Sequence, residues 1–584
     1  MNAILILIIG VIAIVVGYGV YARSIDAKVI QPDPKKATPA KMFMDGVDFT
    51  PANRNVLFGY QFKSIAALGP ILGPIIAVQW GWLPALIWIV LGTFFIGWVQ
   101  DYASIVMGVR EEGQSFGALS YRLVSPRSRM ILLTFIYFYL WLIMGAFGVQ
   151  VGFNLLTNPA VPLGVIIVIL VGILAGQMTY KWKQDIILTS VITVVLSFLG
   201  IWLGTLKPVQ DFFATIYGTL GGATSPTLFL AVTQAKLIGS LLVVVICYFG
   251  AVLPIWRWAQ PINYVAFWIV FLGVIGGILG LLIWRPGMGD FPAFTSFNVA
   301  GLGPLWPILF VTIACGAISG WHSLVSSSGT ARQLEKETDA LYVGGGAMFL
   351  EMIFAILAFL TATVAFGSYQ GYVDAGGGAK AAAVFSQGLA TFMNKWGLSQ
   401  QFGVAYGSVF LTLMALTIMY LVVRFMRVAS AEALGDRIPA MKNMHVGTII
   451  ALVLTLVLIW LVPFLQIWVV FGAANQLMAS LALLLVTLWL LSKAKNYQWA
   501  LWPFLFMFVT TIGALLYKAY EALILNLPKA AALAEKQKLT VGQVMSANII
   551  IGLVSLVLVV AALILAWDAY KAFQRYRAEV RAAA

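Results

Sequence analysis

The chain has 584 residues, of which 61% are hydrophobic and only 10% are charged, and its formal net charge is +14. Soluble domains carry about 25% charged residues, so this composition excludes a water-soluble enzyme. The basic residues lie at the ends of apolar runs and form no stripe with interleaved aromatic residues, which argues against nucleic acid as a partner and for the lipid bilayer.

Apolar runs long enough to cross a bilayer recur along the whole chain. A hydrocarbon core of about 30 Å requires about 20 helical residues, and this criterion predicts an all-α polytopic membrane protein of about fifteen spans. The predicted spans are residues 3–22, 64–80, 83–107, 130–154, 162–178, 185–205, 237–254, 263–284, 303–320, 342–366, 403–423, 446–464, 467–492, 497–517 and 546–567. Most Lys and Arg residues fall on the side of the C-terminal tail. The positive-inside rule then predicts an inner-membrane protein with a periplasmic N-terminus and a cytoplasmic C-terminus.

The second span carries two Gly-Pro pairs near its middle, Gly69-Pro70 and Gly73-Pro74. Proline removes a helical hydrogen bond and clashes with the preceding turn. Inside a bilayer, irregular backbone survives only where protein or a water-filled cavity satisfies its polar groups. These four residues therefore predict a discontinuous helix that binds a solute; the alternative is a kinked structural helix.

The seventh span has Gly250 and Pro254 in its second half and follows the second span by five. Interrupted helices at matching positions of two inverted halves are typical of secondary transporters. We predict two five-helix repeats, residues 64–205 and 237–423, with a peripheral first helix at 3–22 and peripheral helices and a tail at 446–584. Gly250 and Pro254 are predicted to contact the solute.

Ionisable residues inside spans are costly and need a reason. Asp101, beside Gln100 in the third span, predicts proton or solute binding, and the alternative is a structural pair with Arg110. Glu351 in the tenth span predicts proton uptake or a polar contact between helices.

The ninth span ends in CGAISGWHSLVSSSGT, which combines small residues with many hydroxyls. Ser319 and Ser323 are predicted to bind the solute, because hydroxyls can replace its water. His322 is either a proton carrier or a hydrogen-bonded helix-end residue. Asn475 and Gln476, in the thirteenth span, either contact the solute or hold helices together.

The chain contains two His and two Cys residues, and no HExxH or phosphate-binding GxxxxGK[ST] motif. We therefore expect no catalytic residues, no bound metal and no cofactor. These expectations favour a secondary transporter over a respiratory subunit or a membrane enzyme. A channel or a transporter-like nutrient sensor are the alternatives.

Five segments carry a resemblance to a known family: DGVDFTPANRNVLFGYQFKSIAALGPILGPIIAVQWG, GWVQDYAS, CGAISGWHSLVSSSGT, ETDALYVGGGAMFLE and FGAANQLMASLALLLVT. They resemble the carbon starvation protein A (CstA) family, in order from about residue 45 to 490. The resemblance implies proton-driven uptake of pyruvate or peptides. It also implies the LeuT-like five-plus-five inverted repeat of the amino acid–polyamine–organocation (APC) superfamily.

Two departures from the family pattern stand out. Tyr60 and Gln61 occupy the place of a His-His pair, and Tyr420 occupies the place of an aspartate, whereas Arg424 is retained. These changes bear on which solute the protein handles and on how the solute is coupled to protons.

Overall fold

A computed structural model describes residues 2–45, 49–254, 257–537 and 539–583. Within these ranges helices dominate. The strands form two short antiparallel hairpins, Thr227–Phe229 with Val232–Thr233 and Asn298–Val299 with Gly303–Pro304. The prediction of an all-helical architecture is confirmed.

Thirteen helices in the described ranges are long and apolar enough to cross a membrane, or fourteen when one bent pair is counted as a span. The thirteen are Ala3–Ile30, Trp82–Arg110, Pro126–Leu155, Pro162–Lys181, Ile186–Gly204, Gln234–Val252, Ala259–Trp284, Glu337–Thr363, Gln400–Leu434, Met444–Leu461, Phe464–Ser492, Gln498–Lys536 and Val541–Ala582. Shorter helices include Phe116–Leu123, Lys207–Tyr217 and Ala381–Asn394. The protein is therefore a multi-pass membrane protein.

The bent pair is the first interrupted helix, Leu57–Ile65 followed by Gly69–Trp80, with an angle of 43° between its halves. The break lies at residues 66–68, ahead of the Gly-Pro pairs. Pro70 lies in the first turn of the second half, where a missing N–H costs little, and Pro74 lies within that helix. The predicted discontinuity is confirmed, but Gly69 to Pro74 begin the second half and are not themselves unwound.

A second interrupted helix covers residues 305–328. Its first half, residues 305–312, ends where Ile313 leaves helical geometry, and a new helix, Gly320–Ser328, begins after Ser319 in extended conformation. Each half is too short to cross a bilayer alone. When this segment is added to the fourteen spans, the total reaches the fifteen that the sequence predicts.

The seventh span is not the second interrupted helix, and this prediction was wrong. Helix Gln234–Val252 is continuous through Gly250, and Pro254 follows its C-terminal end. Proline two residues past a helix end is an ordinary stop signal, because it cannot continue the helix. The Arg424 guanidinium donates to the carbonyls of Gly250 and Leu253, at 2.9 and 2.5 Å, and satisfies this helix end.

The centre of the bundle is helix Phe464–Ser492. All residues of its most apolar 18-residue stretch are buried, whereas only 28% of the residues in the corresponding stretch of Ala3–Ile30 are buried. The predicted division places residues 464–492 outside the two repeats, yet the structure places them in the core. The peripheral position of the first helix stays a prediction. The five-plus-five repeat itself stays a prediction.

Candidate functional site

The two breaks face each other across a small buried cavity. Ala67 contributes from the first break and Cys315 from the second. The remaining lining comes from neighbouring helices: Tyr139, Ile143, Phe147, Trp321, Ile418, Phe471 and Asn475. Its volume of about 10 Å³ is about what one water molecule requires, so in this conformation the cavity marks where the two breaks meet and does not enclose a solute.

Close backbone packing brings the breaks together. An ideal Cβ on Gly69 would lie 2.2 Å from the Cys315 sulfur, and one on Gly73 would lie 2.7 Å from the Thr312 carbonyl oxygen. Any side chain at these two positions would push the halves apart. The predicted residues Gly69 and Gly73 therefore position the site by being small, and they offer no polar side chain to a solute.

Asn475 holds the second break in its unwound form. Its amide donates to the Ala314 carbonyl at 2.9 Å, and its oxygen accepts from the Trp321 backbone N–H at 3.2 Å. The same oxygen accepts from the hydroxyls of Tyr139, at 2.6 Å, and Ser319, at 3.2 Å. Asn475 thus replaces the hydrogen bonds that an unbroken helix would make.

Gln476 has a related role one residue further along. Its amide donates to the carbonyls of Phe310 at 2.9 Å and Ile313 at 3.0 Å, where the first half of the helix ends. Asn475 borders the cavity, whereas the hydrogen bonds of the Gln476 side chain among the described residues are all to the backbone of the broken helix. Both predicted residues are therefore at the break, and holding helices together describes Gln476 best.

Behind the cavity, three ionisable residues meet in the interior. The His322 Nδ1 lies 2.9 and 3.2 Å from the two carboxylate oxygens of Asp101, and its Nε2 lies 3.3 Å from Glu351 Oε2. All three side chains are fully buried. The structure brings together the three residues that the sequence singles out for proton coupling, on three different helices. We refer to them as the carboxylate–histidine cluster.

The composition of this cluster suits the exchange of a proton. Among the described residues, the ion pairs of Asp101 and Glu351 are both with His322. Two ionised carboxylates beside one imidazole would leave net negative charge in a low-dielectric interior, which is unfavourable. The Glu351 oxygens have no hydrogen-bond partner in the described structure, so a proton or a donor from a bound solute has room to act there.

Small residues place Asp101 opposite His322. On helix Trp82–Arg110, an ideal Cβ on Gly97 would lie 2.4 Å from the Ala317 carbonyl oxygen, and one on Gly108 would lie 2.8 Å from the Ala331 Cβ. These glycines let the helix approach the second interrupted helix along its length. Asp101 lies between them and therefore faces His322.

The alternative pairing of Asp101 with Arg110 was wrong. The Arg110 guanidinium instead bonds Glu337 at 2.5 Å and the Ile30 carbonyl at 3.0 Å. Gln100 is buried, and its amide has no hydrogen-bond partner among the described residues. The Ser323 hydroxyl donates to the Gly320 carbonyl one turn earlier, at 2.7 Å, so its hydrogen bond stays within its own helix.

The residues that depart from the family pattern have partners of their own. Gln61 donates to the Ser326 hydroxyl at 3.0 Å and accepts from Thr330, so it connects the first half of the first interrupted helix to the end of the second interrupted helix. The Tyr420 hydroxyl donates to the Asn263 side chain, outside the carboxylate–histidine cluster. Gln61 therefore has a structural role between the two interrupted helices.

Sequence reasoning missed several residues of the site. Tyr139 and Trp321 line the cavity, and Lys63 is a buried lysine just before the first break. Aromatic residues are too common in this chain for Tyr139 or Trp321 to be singled out. Lys63 carried a usable signal, since a lysine one residue before an apolar run is either an interfacial anchor or a buried charge.

The fold and the site define a polytopic helical membrane protein with a buried cluster of two carboxylates and a histidine beside two helix breaks. The family model for carbon starvation protein CstA matches residues 2–375 and 370–514. The chain therefore belongs to the CstA family, as the resemblance implied.

Curated relatives agree with this family assignment. The chain is 32% identical over 378 residues to the pyruvate/proton symporter BtsT of Escherichia coli K12, covering 62% of this chain and 49% of that protein. It is 32% identical over 382 residues to the peptide transporter CstA of the same strain, covering 62% and 50%. It is 31% identical over 369 residues to the peptide transporter CstA of Bacillus subtilis, covering 62% and 58%. The chain spans about half the length of the curated relatives it matches.

Two solved structures show weak similarity. A manganese transporter of Eremococcus coleocola gives a TM-score of 0.42 at 13% identity, covering 91% of this chain and 99% of that one. MhsT in complex with L-phenylalanine gives a TM-score of 0.41 at 14% identity, covering 88% and 99%. Similarity at this level supports no conclusion about fold or solute.

Proposed function

We propose that this protein is a secondary active transporter that imports a small carboxylate such as pyruvate, or a short peptide, together with protons. The observation that carries the proposal is the position of the cluster Asp101–His322–Glu351 directly behind a cavity between two helix breaks. His322 and the cavity-lining Trp321 are consecutive residues. His322 thus connects the carboxylate–histidine cluster directly to a residue that lines the cavity between the breaks.

Alternating access follows from the construction of the breaks. Each break separates two short, rigid helices, and the Gly69 and Gly73 contacts make the two interrupted helices one packed unit. Such a unit moves against the surrounding helices without unfolding, which is how broken-helix transporters expose a site to alternate sides. The basic loops support a periplasmic N-terminus and a cytoplasmic C-terminus in a bacterial inner membrane.

The curated names support the solute classes. The relatives are named as a pyruvate/proton symporter and as peptide transporters, and both classes of solute carry a carboxylate. Tyr420, in the place of a family aspartate, lies outside the carboxylate–histidine cluster, so proton coupling through that cluster does not depend on the position.

The test is uptake of labelled pyruvate and of a labelled dipeptide by proteoliposomes that contain the purified chain. With an imposed inward proton gradient, we expect at least one of the solutes to accumulate above its equilibrium concentration. A channel would equilibrate the solute without accumulation, and a sensor would bind it without flux. Either of these results would reject secondary transport.

A further inference from the structure

Lys63 is a buried lysine outside the carboxylate–histidine cluster. Its side chain is only 4% exposed, and it lies in the last turn of the helix that ends at Ile65, immediately before the first break. The ammonium group donates to the Thr417 hydroxyl at 2.8 Å. A lysine has three N–H donors, and the described residues supply an acceptor for one of them.

No carboxylate balances this charge within the part of the chain that the structure describes. The ion pairs of Asp101 and Glu351 are with His322, and Glu337 pairs with Arg110. The C-terminal dipole of the helix that ends at Ile65 supplies partial negative charge near Lys63. This partial charge is small compared with the cost of burying an unpaired ion.

Lys63 lies near residues that line the cavity between the two breaks. Ala67, four residues further along, and Ile418, adjacent to the Thr417 partner, both line the cavity. Trp321 also lines this cavity. Its indole N–H donates to the carbonyl of Ser64, the residue after Lys63, at 2.7 Å.

We infer that Lys63 is the residue that pairs with the carboxylate of the transported solute. A solute carboxylate that enters beside Trp321 would receive the two unused N–H donors of Lys63 and would neutralise its charge. This inference rests on the proposed transport function, but it concerns binding and is testable without transport. It assigns to one side chain the discrimination between carboxylates and their neutral analogues.

The experiment measures binding to the purified full-length protein in detergent by isothermal titration calorimetry, supported by thermal shift. The ligands are pyruvate and alanyl-alanine, each paired with its neutral carboxamide. The variants are Lys63→Met, Lys63→Arg and the matched control Lys518→Met. Lys518 is a buried lysine on a different helix from Lys63. It already has a carboxylate partner, Glu521, three residues further along the chain.

We expect the wild-type protein to bind at least one carboxylate and to discriminate against its amide. Lys63→Met should weaken binding of the carboxylate on the order of 10–100-fold, the range for a hydrogen bond to a charged group, and should remove the discrimination. Lys63→Arg should keep the preference for the carboxylate, and so should Lys518→Met. The pyruvate and dipeptide arms show which carboxylate the site accepts.

Unchanged carboxylate affinity in Lys63→Met, with the protein folded, would overturn the inference, and so would a wild-type protein that binds none of the carboxylates. A merely structural lysine predicts a lower melting temperature without ligand and unaltered discrimination, which also overturns it. Failure of the proposed function gives a different pattern. Binding would depend on Lys63, yet proteoliposomes would accumulate no solute.

Discussion

The two interrupted helices differ both in sequence and in the length of their breaks. The first contains Gly69-Pro70 and Gly73-Pro74, but its break is only residues 66–68. The second is unwound from residue 313 to 319 and has no proline within that stretch. Helix Phe464–Ser492 supplies side-chain amides to the second break, from Asn475 and Gln476.

The comparison shows what interrupts a helix inside a bilayer. Proline removes a backbone donor, and this weakens a helix locally. A longer unwound stretch requires partners for its free N–H and C=O groups, and a neighbouring helix can supply them. The first break is therefore encoded in its own segment, whereas the second is encoded about 160 residues away, in the side chains that cap it.

The largest expected effect is at the cap of the second break. Asn475→Leu removes acceptors and donors for Ala314, Trp321 and Ser319 and leaves buried backbone groups unpaired. Each unpaired group costs about 1–3 kcal/mol, so we expect the free energy of unfolding to fall by about 3 kcal/mol or more. Thermal or denaturant unfolding in detergent measures it.

The matched control is Thr487→Val on the same helix, because the Thr487 hydroxyl bonds only the Leu483 carbonyl one turn earlier among the described residues. We expect this variant to unfold like the wild-type protein. Equal stability of Asn475→Leu and the control would mean that the unwound stretch of the second helix does not depend on the Asn475 side chain.

The next effect concerns the function that the breaks support. Asp101→Asn removes one carboxylate from the cluster while keeping its shape, so uptake driven by a proton gradient should fall on the order of 100-fold, the scale of a lost proton-transfer group. Exchange of labelled for unlabelled solute, which needs no net proton movement, should persist. Both rates are measured in the same proteoliposomes.

Asp568→Asn offers a comparison with the same chemical change, since Asp568 pairs with Arg127 away from the cavity. It should retain gradient-driven uptake. If Asp101→Asn accumulates solute as well as Asp568→Asn, proton coupling does not depend on Asp101.

A smaller effect is expected where the two interrupted helices meet. Gly69→Ala places a methyl group 2.2 Å from the Cys315 sulfur and forces the halves apart. Overpacking of this kind costs about 1–3 kcal/mol of unfolding free energy. Gly59→Ala is the control, because an ideal Cβ at Gly59 meets nothing within 4 Å. Similar unfolding curves for the two variants would show that the contact is not tight.

The smallest effect is expected at the proline that marks the first helix most visibly. Pro74 lies inside the second half, past the break, so Pro74→Ala should leave the break at residues 66–68 in place. We expect the unfolding free energy to change by less than about 1 kcal/mol and solute uptake to persist. Loss of uptake with intact folding would assign the break to the proline after all.

The sequence predicted the number and placement of the spans well, because hydrophobic runs report burial in lipid directly. It also identified Asp101, His322 and Glu351, since an ionisable residue inside a span is costly enough to require a function. Their contact was not predictable. Asp101 and His322 are 221 residues apart, and only the glycine packing of the helices brings them together.

The errors have a common physical cause. Gly250 and Pro254 have the composition of a helix break, but Pro254 follows the end of the helix at Val252 and does not interrupt it. The real second break carries no proline, and its determinants are Asn475 and Gln476 on another helix. A local sequence pattern indicates the backbone preference of its own segment. It does not indicate which side chains elsewhere supply hydrogen-bond partners to an unwound stretch inside a membrane.

The most direct test of the account follows protons while the solute moves. Proteoliposomes with a trapped pH indicator and no initial gradient receive an inward gradient of the transported solute. We predict that the lumen acidifies as the solute enters, and that His322→Gln, which removes the group joining Asp101 to Glu351, abolishes the acidification. Entry of the solute without any change of internal pH in the wild-type protein would contradict the account.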